Sequence, residues 1–113
     1  MAKPELEFHV PAGEWRPSGP QGFWEKILSE DAETGAYTRL ARLDPGTDTS
    51  DLGIFRHEFR EEAYIIEGEL TDLSLGETFT PGMYTCRPVG MPHGPYRSDP
   101  GCLLVEFRYG IEA

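Results

Sequence analysis

Short runs of apolar and aromatic residues, separated by glycine and proline, recur along the whole chain. Most runs are about five to nine residues long, and they include GAYTRLARL, EEAYIIEGEL and GCLLVEFRY. In the first of these, apolar and polar positions partly alternate, as in a strand with one buried face. The runs follow one another every 8 to 15 residues or so, a spacing typical of β-sandwiches and β-barrels. The pattern therefore predicts an all-β fold.

Two segments depart from this pattern. The stretch FWEKILSEDAET predicts one or two turns of helix, which Gly35 would end. The first twenty residues hold four of the ten prolines and predict an extended arm, with Trp15 as its anchor. Because 113 residues fit one domain, we expect an arm over residues 1–20 and a single barrel over residues 21–113.

The composition adds an acidic balance, with 20 Asp and Glu against 10 Lys and Arg and a net charge of −10. Such a surface repels nucleic acid and anionic membranes, so we expect neither as a partner. No apolar run reaches the ~20 residues that span a bilayer, and the N-terminus shows no secretory signal. We therefore expect a cytoplasmic protein with two free thiols, Cys86 and Cys102, the first of them a small buried residue.

The segment RHEFREEAYIIEGEL carries an imidazole and a carboxylate in register. Residues of like parity share a face of a strand, so His57 and Glu61 point the same way, together with Phe55. Inside a small barrel both polar groups are costly unless they are paired. Either they hydrogen-bond to each other or both bind a cation.

The segment GMYTCRPVGMPHG places glycines and prolines around His93. Fixed proline φ angles and permissive glycines can hold one side chain in one direction. A metal ligand needs that orientation, although a core histidine that donates to a carbonyl would fit the segment as well.

The second segment resembles the second motif of the cupins, G(X)5PXG(X)2H(X)3N. Gly82, Pro88, Gly90 and His93 follow its spacing, and Arg97 stands at the position of the asparagine.

The first segment resembles the first cupin motif, G(X)5HXH(X)3–4E(X)6G, in its second half. His57, Glu61 and Gly68 match, whereas Phe55 replaces the first histidine. The resemblance implies a cupin double-stranded β-helix, a jelly-roll barrel, as a single domain with an extended N-terminal arm.

REEAYIIEGEL and RPVGMPHGPY are similar to segments of the single-domain cupins related to the zinc-binding C-terminal domain of the anti-sigma factor ChrR. They are also similar to small dioxygenases that cleave acetylacetone or hydroxyacetophenones. The usual site of these cupins has three histidines, with or without a glutamate. The resemblance implies His57, Glu61 and His93 as metal ligands. The position lost at Phe55 leaves the ion open to substrate, as a catalyst requires.

Two imidazoles and one carboxylate suit Fe(II) or Zn(II), with Mn(II) and Ni(II) as alternatives. We expect a small metal-dependent enzyme that acts on a carbonyl or enol compound, as a dioxygenase or as a lyase or isomerase. One alternative is a sensory or regulatory module that binds a metal or a small ligand. Another is a metal-free binding cupin.

Residue type suggests the other members of the site. Tyr64 and Tyr96 are candidate proton carriers, while Tyr84 and Arg97 are expected to line the substrate pocket with Phe55. We expect a small molecule as substrate or ligand. A second copy of the chain is the expected protein partner, in a homodimer formed through the sheets and the arm.

The remaining charged residues are expected to pair with one another. Arg60, Arg87 and Arg97 are expected in surface salt bridges, with recognition of an anionic substrate as the alternative. Glu106 and Arg108 share a face of the last strand and are a candidate ion pair.

Overall fold

A computed structural model describes residues 3–110, which form two antiparallel β-sheets. The strands are β1 (Arg16–Pro17), β2 (Phe23–Glu30), β3 (Tyr37–Leu43), β4 (Thr47–Asp48), β5 (Glu61–Gly68), β6 (Leu70–Asp72), β7 (Glu77–Phe79), β8 (Tyr84–Arg87), β9 (Tyr96–Ser98) and β10 (Cys102–Arg108). The larger sheet has the order β1-β2-β3-β10-β5-β8, and the smaller has the order β4-β9-β6-β7. A short 3-10 helix covers Ser50–Leu52. The all-β prediction is confirmed.

The core lies between the two sheets, and the inward-facing positions of β5 show this most clearly because they alternate with outward-facing ones. In β5, Glu61, Ala63 and Ile65 are buried, whereas Tyr64 and Ile66 are exposed. Both sheets contribute to one hydrophobic cluster, made of Ala41, Leu43, Ala63, Ile65, Leu70, Tyr96, Cys102 and Leu104. The inward face of β5 therefore combines core residues with one buried carboxylate.

The helix expected in FWEKILSEDAET is wrong, since this segment begins as β2. The strand pairs along its length with β3, from Phe23 opposite Leu43 to Glu30 opposite Tyr37. Pairing with a neighbouring strand outweighs a weak local helix preference. The segment then turns at residues 31–36, where the Asp31 carbonyl accepts the Gly35 N–H at 2.9 Å.

Both cysteines are free thiols in the described part of the chain, but Cys86 is exposed and the expectation of a buried filler is wrong. Cys86 lies opposite Glu62 on the outer face of the larger sheet.

The N-terminal segment joins the larger sheet at β1, where Arg16 lies opposite Glu25 of β2. Trp15 packs against Arg42, with the guanidinium carbon 4.6 Å from a ring centroid. Residues 1, 2 and 111–113 of the expected arm and barrel lie outside the described residues. Within residues 3–110, no helix has the length and apolar content needed to cross a membrane.

Candidate metal centre

Three side chains with metal-binding chemistry converge inside the barrel. One ligand atom each from His57, Glu61 and His93 lies within 4.8 Å of the others. Glu61 is the first residue of β5, and the two histidines lie in the segments before β5 and before β9. These segments are tied by a backbone bridge, in which the Phe55 N–H donates to the His93 carbonyl at 2.8 Å and the His93 N–H donates to the Phe55 carbonyl at 3.0 Å.

The two ring nitrogens of His93 have different surroundings. Nδ1 lies 2.6 Å from the Tyr96 hydroxyl oxygen. Nε2 is buried and has no hydrogen-bond partner among residues 3–110. An unsatisfied buried nitrogen is costly, and a ligating histidine commonly binds through one nitrogen while the other is held by a hydrogen bond. The His93 ring therefore fits a divalent ion at Nε2, with an Nδ1–H that donates to Tyr96.

Both imidazoles are held neutral. Burial lowers the pKa of His93 to about 3, and the charges of Arg87 and His57 act in the same direction. Burial also lowers the pKa of His57, with a further contribution from Arg87. The His57 ring stacks on Phe59 at a centroid distance of 4.6 Å and lies 4.8 Å from the His93 ring. Neutral imidazoles keep the lone pairs that a metal ligand needs.

Glu61 is paired with an arginine inside the barrel. Arg87 of β8 lies directly opposite Glu61, and its Nη1 donates to Glu61 Oε1 at 3.0 Å. Arg87 Nη2 donates to the Tyr96 hydroxyl, also at 3.0 Å. The side chains of Glu61 and Arg87 are 4% and 12% exposed, so the expectation of a surface salt bridge for Arg87 is wrong. Its partner is a candidate metal ligand.

The three candidate ligands line a cavity of about 160 Å³ between the sheets. Phe55, Arg87 and Tyr96 line it as well, together with a second arginine–glutamate group at Arg39 and Glu106. The Phe55 ring lies 6.2 Å from the ring of Tyr96, nearly parallel to it. The cavity therefore combines apolar walls with a few charged groups, as small-molecule sites do.

Glu106 is held by Arg39 rather than by Arg108, so the expected Glu106–Arg108 pair is wrong. Arg39 lies opposite Glu106 across β3 and β10, and its Nε donates to Glu106 Oε1 at 2.6 Å. Arg108 instead lies over the Phe59 ring, 3.9 Å from its centroid. Burial raises the pKa of Glu106, and the nearby charge of Glu61 raises it further.

A comparison with family models assigns the chain to a family. The model of the ChrR cupin-like domain matches residues 4–110, nearly the whole chain. The chain belongs to the ChrR cupin-like domain family. Comparison with curated protein sequences gives no match.

Solved structures with the same fold include three cupins of different description. An RmlC-like cupin from Shewanella frigidimarina is 18% identical, with a TM-score of 0.74 and coverage of 99% of this chain and 96% of that one. An acetylacetone dioxygenase from Acinetobacter johnsonii is 16% identical, with a TM-score of 0.69 and coverage of 96% and 79%. The Rhodobacter sphaeroides complex of SigE with the anti-sigma ChrR contains a chain 17% identical, with a TM-score of 0.65 and coverage of 89% and 52%. At these identities the likeness shows the cupin fold.

Two of the other expected site residues of this cupin face away from the ligands. Tyr64 is 45% exposed, because Glu61 points inward and residues at odd separation from it on β5 point outward. Arg97 is exposed beside the buried Tyr96 and pairs with Asp99 at 3.2 Å. The expected roles of Tyr64 as proton carrier and of Arg97 in the pocket are therefore corrected. The sequence singled out Arg87 by residue type, for a surface ion pair or an anionic substrate, but its position inside the barrel depends on the pairing of β5 with β8.

A second cavity of about 180 Å³ lies beside the first in this cupin. Arg87 and His93 line both cavities, together with Leu70. Tyr84, expected in the substrate pocket, borders the second cavity, while its hydroxyl is bonded to Glu62 on the outer face. The other lining residues are mainly apolar: Ala63, Ile65, Leu75, Phe79, Met83, Met91 and Pro92.

Proposed function

We propose that this cupin is a metal-dependent enzyme that acts on a small carbonyl or enol compound. The observation that carries the proposal is the convergence of His57, Glu61 and His93 within 4.8 Å, with the Nε2 of His93 buried and unpartnered in the described residues. A divalent ion at this point supplies a Lewis acid that polarises a carbonyl oxygen and stabilises an enolate. We propose Fe(II) or Zn(II), since two imidazoles and a carboxylate suit both.

The residues around the ligands have separable roles in such a reaction. Tyr96 holds the His93 ring through Nδ1, and burial raises the pKa of its hydroxyl, so that Tyr96 stays protonated and positions the ring. Glu106 is the better candidate for the proton carrier, because it lines the same cavity and burial raises its pKa. Phe55 and Leu70 form apolar walls that keep water from a reactive carbanion.

Dioxygen addition to the enolate is the reaction that we propose first. The likeness of the fold to the acetylacetone dioxygenase from Acinetobacter johnsonii supports this choice. A lyase or an isomerase would use the same enolate and would return a proton to another carbon. Glu106 would return that proton, a step that dioxygen addition to the enolate does not include.

A regulatory module is the second candidate. The family is that of the ChrR cupin-like domain, and one structure with this fold is a complex of a sigma factor with ChrR. In that function the same three ligands would hold an ion or a small ligand without turnover, and a partner protein would sense the bound state.

The test begins with metal content. Protein purified without chelator should hold about one divalent ion per chain, and His57→Ala and His93→Ala should lose it. His9→Ala is the matched control, because His9 is an exposed histidine of the N-terminal segment. The Fe(II)-loaded protein should consume oxygen with a 1,3-diketone such as acetylacetone. Metal binding with no turnover of any carbonyl compound and with capture of a sigma factor would favour the regulatory module.

We also propose a homodimer that acts in the cytoplasm. The outer face of the larger sheet exposes an apolar patch of Tyr64, Ile66, Tyr84, Phe107 and Tyr109. The N-terminal segment exposes Leu6, Phe8 and Val10, and its Lys3 donates to Thr38 Oγ1 at 2.6 Å beside that face. Apolar patches of this kind support protein association. A sedimentation mass of one chain at micromolar concentration would contradict the dimer.

A further inference from the structure

We propose that the two cavities form one binding site for a small organic anion. Its acidic oxygen atoms lie against Arg87, and its apolar end lies in the second cavity. The inference rests on the proposed function for the neighbouring ion, and it extends that function to a substrate class. The proposed anion site consists of Arg87 and the second cavity, and it does not depend on which reaction the enzyme catalyses.

Arg87 is the cation that is placed to bind such an anion. It lies in the wall shared by the two cavities, beside the candidate ligand His93. A guanidinium has five N–H donors, and within residues 3–110 Arg87 makes two side-chain bonds, one to Glu61 and one to Tyr96. Its Nε is buried with no partner among the residues described. The remaining donors suit a planar carboxylate or enolate.

Arg39, the other arginine of the first cavity, is already engaged. Its Nε donates to Glu106, and its Nη1 donates to Glu25 at 2.7 Å and to Ser18 at 3.0 Å. Two carboxylates therefore surround Arg39, whereas Arg87 has one. An incoming anion would meet repulsion at Arg39 and attraction at Arg87.

Charge balance also favours an anion. Arg87 and Glu61 cancel each other, histidines bind an ion as neutral imidazoles, and Asp72 of the second cavity contributes −1, so a divalent ion leaves the site with a charge of about +1. The carboxylate of the second cavity is that of Asp72. It accepts hydrogen bonds from the backbone N–H groups of Gly94, Ser74 and Leu75, with N···O distances of 3.0, 2.9 and 3.1 Å. A ligand with negative oxygen atoms reduces the excess charge.

The second cavity fits an apolar group. Phe79, Met83 and Met91 line it, and Leu75 stands exposed at its edge with both methionines. A group of exposed apolar side chains around a cavity is typical of a binding site. Methionine adapts to ligands of varied shape. The ligand is therefore an acid with a short hydrocarbon end, such as a 2-oxo acid or a 3-oxo acid of several carbons.

The test measures binding of three probes by calorimetry: 2-oxobutanoate, 2-oxohexanoate and the neutral 2,3-hexanedione. Each is titrated into the zinc-loaded and the chelator-treated protein. We expect 2-oxohexanoate to bind at least about tenfold more tightly than the neutral diketone, since hydrogen bonds to a charged group are the stronger ones. 2-Oxohexanoate should also bind more tightly than 2-oxobutanoate, by about fourfold in affinity for each added methylene that is buried.

Variants separate the two parts of the site. Arg87→Gln should lose at least about tenfold in affinity for both acids and little for the diketone, while Arg87→Lys keeps part of the preference. Arg97→Gln, which removes a surface arginine, should match the wild type. Met91→Trp, which narrows the second cavity, should weaken the binding of 2-oxohexanoate and leave the affinity for 2-oxobutanoate unchanged.

Equal binding of the acid and the diketone by the wild type would overturn the inference, and so would unchanged acid binding by a folded Arg87→Gln. If Arg87→Gln fails to fold, the wild-type probe series and Met91→Trp decide the question. Failure of the wild type to bind zinc would refute the proposed metal site. The acid preference of the chelator-treated protein would then still support or overturn the anion site.

Discussion

Glu61 and Arg87 lie directly opposite each other on β5 and β8, with a carboxylate oxygen and a guanidinium nitrogen 3.0 Å apart inside the barrel. The same carboxylate is a candidate metal ligand. Arg87 and a divalent ion therefore share one negative charge, and the arginine balances that charge when no ion is bound.

Arg87→Gln should destabilise the metal-free protein and strengthen zinc binding. Removing one member of a buried ion pair leaves an uncompensated charge, at a cost of about 3 kcal/mol. Zinc would offset that cost and would no longer meet a repelling cation. Urea unfolding with and without zinc checks both effects, and Arg97→Gln serves as the surface control. A variant as stable as the wild type without zinc would contradict this account of the pair.

Phe55→His should add a fourth ligand to the three candidate ligands of this site. Phe55 stands at the position of the first motif histidine, and it is bridged to His93 through the backbone. A third imidazole should tighten zinc binding by at least about tenfold, while it occupies a position that a substrate needs. Phe55→Leu keeps an apolar side chain and should leave zinc affinity near that of the wild type. Competition with a chromophoric chelator measures both variants, and unchanged affinity in Phe55→His would refute the assignment of this position.

Gly94 should tolerate no side chain, because its backbone and its surroundings both exclude one. Its φ is +76°, and a Cβ there would lie 2.9 Å from the Phe55 ring and 3.2 Å from the Tyr96 ring. The conformation and the clash together should make Gly94→Ala cost about 3 kcal/mol and disturb His93. Gly90 has a φ of +81° in open space, so Gly90→Ala should cost only about 1 kcal/mol. Chemical denaturation compares the two, and equal costs would contradict the packing argument.

The metal-free protein should lose stability as the pH falls from about 6.5 toward 3. The pKa of His93 is lowered to about 3 in the folded state, and that of His57 is lowered as well. The unfolded chain therefore binds more protons than the folded chain over this range. The stability that these groups contribute is fully present above the unfolded pKa and is lost as the pH falls. Each such group contributes a slope of at most about 1.4 kcal/mol per pH unit.

Urea unfolding between pH 6.5 and 5 isolates these histidines from most carboxylates. The His93→Gln variant should have a shallower slope than the wild type, and His9→Gln should not. A His93→Gln slope equal to the wild-type slope over this range would show that His93 titrates normally.

Spacing within the segments predicted the all-β fold, whereas the grouping of the three candidate ligands was implied by the resemblance to the two cupin motifs. Parity predicted that His57 and Glu61 share a direction, but His57 lies before β5 with a bend at residues 58 and 59 between them, so the loop rather than strand parity places its ring. The role of Arg87 depends on which strands pair and in what register, a relationship that the local pattern does not carry. The same applies to Arg39 and Glu106, which are 67 residues apart in the chain.

Predictions from local residue preference were also wrong where strand pairing determines the structure. FWEKILSE forms β2 because β3 offers a full partner along its length. Tyr64 is a suitable proton carrier by residue type alone, but its parity places it outside the barrel whenever Glu61 is inside.

The central claim is that His57, Glu61 and His93 hold one divalent ion in the barrel. Diffraction data from zinc-soaked crystals, collected on both sides of the zinc absorption edge, test it most directly. We predict one anomalous peak per chain, within coordination distance of His93 Nε2, an imidazole nitrogen of His57 and a carboxylate oxygen of Glu61. Three side chains with no peak between them, or a peak held by other residues, would contradict the claim.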